Sequence, residues 1–150
     1  STNKFNFENK NVLLSLGGDI NKVKFLPIMH ILINLGYKIY ATDTTAKFFK
    51  ENGIKCTSVR KASEKAPNVL NIIEDKTVSF VVNLSVEGGV KKINKEKKYL
   101  TDGFHIRRAT VDNQIPLFTD LHLVRAFIRS LGNYKIDDLE IKSYKEYLQD

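Results

Sequence analysis

Short apolar runs alternate with longer amphipathic stretches along the chain, and this pattern predicts strands that alternate with helices. The predicted strands are residues 12–16, 37–41, 55–59, 78–84 and 115–118. The predicted helices are residues 21–35, a segment that runs from the turn after residue 41 to residue 52, and residues 69–75, 102–113 and 121–131. Continuous apolar runs are typical of strands buried on both faces. The order predicts the α/β class, with a Rossmann-like three-layer α/β/α fold and a five-stranded, mostly parallel sheet.

The two ends of the chain differ in composition from the middle. Residues 1–10 are mainly polar and are interpreted as a linker, whereas residues 11–132 contain all the predicted elements. Beyond Gly132 the chain is charged, and residues 133–150 are interpreted as a second linker or a tail. The sequence therefore predicts one domain of ordinary size with a linker on each side.

Bulk composition excludes several classes of protein. The chain has 150 residues, of which 42% are apolar and 27% are charged, as is common for a soluble domain. No apolar run is long enough to cross a bilayer, so no membrane partner is predicted. The single cysteine, Cys56, cannot form an internal disulfide and is predicted to be half-buried or in the core. We expect a cytoplasmic location.

The net charge of +7 is compatible with nucleic acid, a membrane surface or a small anionic ligand as partner, and a solvated cationic loop is the alternative interpretation of its lysine runs. The lysines are dispersed except at 91–92 and 95–98, and no run of aromatic residues accompanies them. Stacking platforms for bases need such aromatic residues, so the loop interpretation is favoured and no nucleic-acid partner is predicted. The three histidines are isolated from one another, and no metal site is predicted.

The strand at residues 37–41 runs into a helix through the turn Thr42-Asp43-Thr44-Thr45. One interpretation is a helix cap, because hydroxyl and carboxylate side chains commonly accept from the first N–H groups of a helix. The other is an anion site, because a helix start offers unpaired N–H groups and the positive end of the macrodipole.

Other polar turns are predicted to lie at the same edge of the sheet as this one. Ligands of parallel α/β sheets bind beyond the carboxyl ends of the strands. Turns 17–22, 42–45 and 83–85 end three predicted strands, and Lys61 follows a fourth. Their hydroxyl, amide and ammonium groups together predict a cationic pocket for an anion.

Arg107 and Arg108 are adjacent on a predicted helix, so their side chains point in different directions. At most one can face the pocket, and an ion pair with an acidic residue such as Asp112 or Asp120 is the alternative for each.

Five collinear motifs resemble the methylglyoxal-synthase-like domain at the C-terminus of the carbamoyl-phosphate synthetase large subunit, especially the eukaryotic glutamine-dependent form of the pyrimidine pathway. The motifs are Val12-Leu13-Leu14-Ser15, Ala41-Thr42-Asp43-Thr44-Thr45, Val81-Val82-Asn83-Leu84-Ser85, Asp102-Gly103-Phe104-His105-Ile106-Arg107-Arg108-Ala109 and Val111-Asp112-Asn113-Gln114-Ile115-Pro116-Leu117. The resemblance covers roughly residues 11–132. It implies an allosteric module that binds phosphorylated effectors, such as an inhibitory uridine nucleotide and an activating phosphoribosyl pyrophosphate or purine nucleotide.

Carried over position by position, the resemblance implies six phosphate-facing residues. They are Lys22, Thr42, Thr45, Lys61, Asn83 and Ser85. The ammonia-dependent relative that binds N-acetylglutamate has tryptophan at the position of Lys61, so lysine there favours a phosphorylated effector. The resemblance further implies a non-catalytic domain without a cofactor of its own, in a polypeptide whose synthetase domains use ATP and Mg²⁺ to make carbamoyl phosphate for pyrimidine or arginine synthesis.

The alternative function is that of methylglyoxal synthase, which shares this fold and acts on dihydroxyacetone phosphate. That reaction needs a positioned carboxylate base. The enzyme carries Gly-Gly-Asp after its third strand and an acidic and histidine pair after its fourth. This chain instead has Lys61-Ala62-Ser63-Glu64-Lys65 and Asn83-Leu84-Ser85-Val86-Glu87, which leaves Glu64 as the candidate base near the rim. No catalytic residue is predicted.

Ser63 follows two basic residues in Arg60-Lys61-Ala62-Ser63, a pattern that basophilic kinases accept. A phosphate there would add about −1.5 to −2 charges beside Lys61. Phosphorylation of Ser63 that competes with an anionic effector is therefore a further hypothesis.

Overall fold

Five parallel strands form a single sheet in the computed structural model, which describes residues 5–86 and 101–136, with side chains up to residue 133. The strands are β1 (Asn11–Leu16), β2 (Lys38–Thr42), β3 (Thr57–Val59), β4 (Phe80–Leu84) and β5 (Leu117–Phe118). Their order across the sheet is β3-β2-β1-β4-β5, and every neighbouring pair is parallel. The predicted α/β class and the five-stranded sheet are confirmed.

Helices cover both faces of this sheet. They are α1 (Asp19–Asn34), α2 (Asp43–Glu51), α3 (Val69–Glu74), α4 (Asp102–Asp112) and α5 (Leu121–Ile136). The larger apolar cluster joins the sheet to α1, α2 and α5, and the smaller one joins it to α3 and α4. The strand β1 serves both clusters, because Val12 and Leu14 face the first and Leu13 faces the second. This arrangement is the predicted three-layer fold.

Both ends of the domain extend beyond the predicted limits of 11 and 132. Phe5 packs edge-on against Phe127 of α5, with 5.1 Å between ring centroids, and it also contacts Phe80. Helix α5 continues to Ile136 instead of ending near Leu131. The aromatic contacts of Phe5 tie the segment before β1 to the larger core, so part of the predicted linker packs on the domain.

Some large apolar residues of the helices are exposed. Val23 of α1 is 54% exposed and Leu123 of α5 is 66% exposed. The face of α1 that packs on the sheet instead carries Lys22, Phe25 and Met29, at spacings of three and four residues. Because adjacent helical residues point about 100° apart, Val23 turns away from that face.

Strand β3 is shorter than predicted and begins at Thr57, so Cys56 lies just before it. The Cys56 thiol is half-buried and donates a hydrogen bond to the Ala46 carbonyl over 3.6 Å. Burial raises the pKa of this thiol, and the nearby Lys50 ammonium offsets part of the increase. The predicted half-buried position is confirmed, and its place within a strand is wrong.

Candidate functional site

A cavity of about 360 Å³ lies at the carboxyl ends of β1, β2 and β4. Chain order reverses between β1 and β4, because β2 and β3 lie on one side of β1 whereas β4 and β5 lie on the other. Such a reversal leaves a crevice in which doubly wound sheets bind their ligands. The cavity therefore occupies the edge at which the sequence predicts an anion site.

A close approach of two backbones forms the floor between β1 and β4. The Gly17 N–H donates to the Leu84 carbonyl over 2.6 Å. A Cβ atom at Gly17 would lie 3.0 Å from that carbonyl oxygen and 3.0 Å from the Val86 nitrogen, which real Cβ atoms rarely tolerate. Glycine is therefore needed here to let the two strand ends meet.

Thr42 and Thr44 line the cavity at the start of α2. Thr42 is the residue that precedes the helix, but its side chain makes no capping hydrogen bond. The Asp43 carboxylate instead accepts from the Ser58 hydroxyl over 3.0 Å, on the other side of the turn. Neither of these side chains caps the first N–H groups of α2, so the geometry favours the anion interpretation of the turn over the cap interpretation.

Thr45 is fully buried and does not belong to the cavity lining that the structure describes. Its hydroxyl accepts a hydrogen bond from the Leu16 N–H over 3.0 Å. Pairing between β1 and β2 ends at Leu14 and Ala41, so the Thr45 hydroxyl provides a hydrogen-bond acceptor for β1 beyond the last paired residues. The structure thus gives Thr45 a backbone-fixing contact rather than the predicted phosphate-facing position.

Lys22 is likewise absent from the described cavity lining. It lies in the first turn of α1 and is only 7% exposed, within the buried face of that helix. Four of the six predicted residues, namely Thr42, Lys61, Asn83 and Ser85, are brought together at the cavity.

Arg107 of α4 joins Asn83 and Ser85 in the cavity lining. Its Nη1 donates to the Asn83 side-chain oxygen over 2.6 Å and to the Ser85 hydroxyl over 3.4 Å. A Cβ atom at Gly103 would lie 3.1 Å from this Nη1, so the glycine leaves room for the guanidinium. Asn83 is 4% exposed, and its amide nitrogen reaches the Ser15 carbonyl over 3.5 Å, which fixes its orientation.

Arg108 forms an ion pair and does not belong to the described cavity lining. Its Nε lies 3.2 Å from the Asp112 carboxylate, one helical turn further along α4, and both side chains are largely exposed. The ion pair is thus found for Arg108, with Asp112 as one of the two acidic partners considered, and at most one of the two arginines faces the cavity.

Lys61 reaches the cavity from a tight turn between β3 and α3. The Glu64 N–H donates to the Lys61 carbonyl over 3.0 Å, and the Lys61 N–H donates to the Glu64 carboxylate over 2.7 Å. The Ser63 N–H donates to Oδ1 of Asp102, at the start of α4, over 3.1 Å. Asp102 also lines the cavity, whereas Glu64 is not among its described lining residues.

The described lining combines two cations with one carboxylate and several neutral donors. Lys61 and Arg107 provide the positive charge, and α2 and α4 both begin at the cavity. Guanidinium, ammonium and helix-start N–H groups all favour phosphate or carboxylate oxygens. Chemically, the cavity is suited to hold an anion with several acceptor oxygens.

Besides Arg107, four polar residues of the cavity, namely Ser15, Thr44, Thr101 and Asp102, are not among the six that the resemblance implies. The sequence did contain a sign of which threonine of the turn is buried. Thr45 precedes the core residue Phe49 by four positions and therefore shares its buried helical face, whereas Thr44 does not. For Asp102 no local pattern exists, because its place depends on the packing of α4.

The cationic run at residues 91–98 lies outside the described residues, as does the tail beyond 136. Among the residues described, no helix combines the length and apolar character needed to span a bilayer.

Comparison with known proteins identifies the family of this chain. The model of the MGS-like domain family matches residues 24–119. The carbamoyl phosphate synthase large chain of Clostridium botulinum (strain Langeland) is 39% identical over 119 residues, which cover 79% of this chain. Multifunctional protein pyr1-3 of Dictyostelium discoideum is 34% identical over 132 residues, which cover 87% of this chain.

The matched region is a small part of each relative, about 10% of the bacterial large chain and 6% of pyr1-3. The large chain of Clostridium beijerinckii gives a similar result, with 36% identity over 126 residues and 10% of its length. These matches confirm the resemblance stated from the five motifs. The chain belongs to the MGS-like domain family.

Proposed function

We propose that this chain is the effector-binding regulatory domain of a glutamine-hydrolysing carbamoyl-phosphate synthase and that its cavity holds a phosphorylated effector. The effectors proposed are a uridine nucleotide as inhibitor and phosphoribosyl pyrophosphate or a purine nucleotide as activator. The observation that carries the proposal is the convergence of Thr42, Lys61, Asn83, Ser85 and Arg107 on one cavity at the topological switch point.

The chemistry of these groups favours a phosphoryl group over a neutral ligand. Arg107 and Lys61 supply charge, and hydrogen bonds from charged donors to phosphate are roughly twice as strong as neutral ones. The Thr42 hydroxyl lines the cavity and makes no capping hydrogen bond to α2, so it is available to a ligand. A planar guanidinium also matches two oxygens of one phosphate.

The regulatory part of the proposal is supported by the relatives. The proteins matched are named carbamoyl phosphate synthase large chain and multifunctional protein pyr1-3, and this chain spans only about a tenth or less of their length. A small domain that binds an anion can control such an enzyme if its bound and free states differ in their contacts with the synthetase domains. Control of carbamoyl phosphate formation for pyrimidine synthesis, in the cytoplasm, is part of this proposal.

Methylglyoxal synthase remains the alternative, and the carboxylates near the cavity bear on it. The Glu64 carboxylate, the base candidate from the sequence, accepts from its own turn at Lys61. Asp102 does line the cavity, but its Oδ1 accepts from the Ser63 N–H. No histidine belongs to the described lining, so a partner for proton transfer is not provided there.

Thermal shift with four ligands tests the proposal. Uridine triphosphate, phosphoribosyl pyrophosphate, N-acetylglutamate and dihydroxyacetone phosphate are added separately, each at a range of concentrations. Because a ligand that binds the folded state stabilises it by mass action, we expect the first or second to raise the Tm and N-acetylglutamate to leave it unchanged. A rise with dihydroxyacetone phosphate alone, together with methylglyoxal formation, would establish the alternative.

A further inference from the structure

A carboxylate at the edge of a cavity for anions needs an explanation. Asp102 lines the same cavity as Lys61 and Arg107, although a negative charge there repels an anionic ligand. Asp102 is the first residue of α4, where a carboxylate interacts favourably with the helix macrodipole. That contribution to α4 does not explain the bond that Asp102 makes with another segment.

Oδ1 of Asp102 accepts from the Ser63 N–H over 3.1 Å, and the two residues are 39 positions apart in the chain. Ser63 belongs to the turn Lys61–Glu64, which follows β3 and presents Lys61 to the cavity. The other hydrogen bonds that the structure gives for residues 60–68 remain within the segment or join it to residues 69–71, at the start of α3. Within the described residues, the bond to Asp102 therefore ties this turn to α4.

The Lys61 backbone is bonded to Glu64, and the neighbouring Ala62 packs against the smaller apolar cluster, but the Lys61 side chain has little to fix its own position. It is exposed, it lies outside any helix or strand, and the described residues provide no ion-pair partner for its ammonium. A long, flexible side chain on an untethered turn would lose much conformational entropy on binding a ligand. A turn that is already held against α4 loses less conformational entropy when the ligand binds.

We infer that Asp102 is a positioning residue, whose carboxylate holds the turn of Lys61 in place so that the ammonium is presented to the effector. This inference rests on the proposed function, and it explains how Lys61, one of the two cations of the cavity, is positioned. The carboxylate acts through the Ser63 backbone and does not contact the ligand. The gain in order of the turn exceeds the repulsion between Asp102 and the bound anion.

Calorimetric titration of the 150-residue chain with uridine triphosphate tests the inference. Asp102→Ala removes the acceptor, and we expect a loss of affinity of about tenfold, of the order expected for one hydrogen bond. Asp102→Asn keeps an acceptor oxygen without the charge, and we expect affinity within about twofold of the parent, or tighter. If Asp102→Ala binds as tightly as the parent or more tightly, or if Asp102→Asn loses as much as Asp102→Ala, the inference is overturned.

A double-mutant cycle separates positioning from any direct effect of the carboxylate. If Asp102 acts through Lys61, then adding Asp102→Ala to a Lys61→Ala variant should cause no further loss of affinity for uridine triphosphate. An equal loss in both backgrounds would contradict the inference. Asp120→Ala is the control for loss of a carboxylate at a helix start, because Asp120 directly precedes α5 and accepts from the Leu123 N–H over 2.9 Å, and it is not part of the described cavity lining. We expect it to leave affinity unchanged.

Amide hydrogen exchange of Ser63 tests the same contact without a ligand. We expect slowed exchange in the parent and in Asp102→Asn, and faster exchange in Asp102→Ala. Asp102→Ser serves if the alanine variant does not fold, since serine is well tolerated at a helix start but its side chain is one atom shorter. If the parent bound none of the anions, the proposed function would fail, and equal Ser63 exchange rates in parent and variants would separately overturn the positioning contact.

Discussion

At the scale of single residues, two threonines three positions apart have different surroundings. Thr42 lines the cavity without a capping bond, whereas Thr45 is buried against β1. We expect Thr42→Ala to weaken binding of uridine triphosphate by about 1.5–3 kcal/mol, the usual contribution of a hydrogen bond to a charged group. The Tm should change little. A large fall in Tm with unaltered affinity, both measured by calorimetry, would indicate instead that Thr42 acts as the cap of α2.

Thr45→Ala should act mainly on stability. It leaves the buried Leu16 N–H without its acceptor, so we expect the free energy of unfolding to fall by about 1–3 kcal/mol. Urea denaturation measures the change, and Thr45→Ser, which retains the hydroxyl, is the control. An alanine variant with parental stability and a much weaker affinity for the effector would show that the hydroxyl contacts the ligand after all.

Lys61 provides exposed charge at the cavity, so its effect should depend on salt. We expect Lys61→Glu to weaken binding of uridine triphosphate by at least about tenfold at low ionic strength, because it reverses a charge near the phosphate. The loss should shrink as salt rises. Lys47→Glu makes the same charge change at an exposed position of α2 outside the site cavity and should have a much smaller effect. A loss independent of salt would count against a direct phosphate contact.

At the scale of elements, the turn between β3 and α3 is the part most open to regulation. Ser63 is exposed, and its N–H is bonded to the Asp102 carboxylate. A negative charge on the Ser63 side chain would lie near that carboxylate and near Lys61, so it should weaken effector binding. We expect Ser63→Asp to lower affinity for uridine triphosphate several-fold with little change in Tm. The control is Ser63→Asn, because asparagine has nearly the size of aspartate without its charge, and we expect this variant to bind like the parent. Equal affinities of Ser63→Asp and Ser63→Asn would contradict the phosphorylation hypothesis.

The elements were largely predictable from the sequence, because each core strand is a run of apolar residues bounded by turn residues. Their ends were less so. Helix α5 passes through Gly132 to Ile136, since a glycine near a helix end does not by itself stop the helix. The exposure of Val23 follows from the orientation of α1 on the sheet, and an apolar side chain gives no local sign of that orientation.

At the scale of the whole molecule, the site is the outcome of strand order. Four of the predicted residues meet because β2, β3 and β4 end at one edge, which parallel alternation alone indicates. Lys22 and Thr45 were placed at the pocket both by the turns that contain them and by the resemblance, but both side chains are buried outside the described cavity lining. Arg107 and Asp102 reach the cavity through the packing of α4 near the end of β4, which the alternation of strands and helices does not indicate.

The most direct test of the account is an amide NMR titration of the chain with uridine triphosphate. We expect saturable shifts concentrated at the cavity, at residues 42–44, 61–63, 83–86 and 101–103, with the amides of α5 nearly unchanged. The N–H groups at the starts of α2 and α4 should move most, because they point toward the bound phosphates. The absence of saturable shifts, or shifts that cluster away from these strand ends, would contradict the claim that this cavity binds a phosphorylated effector.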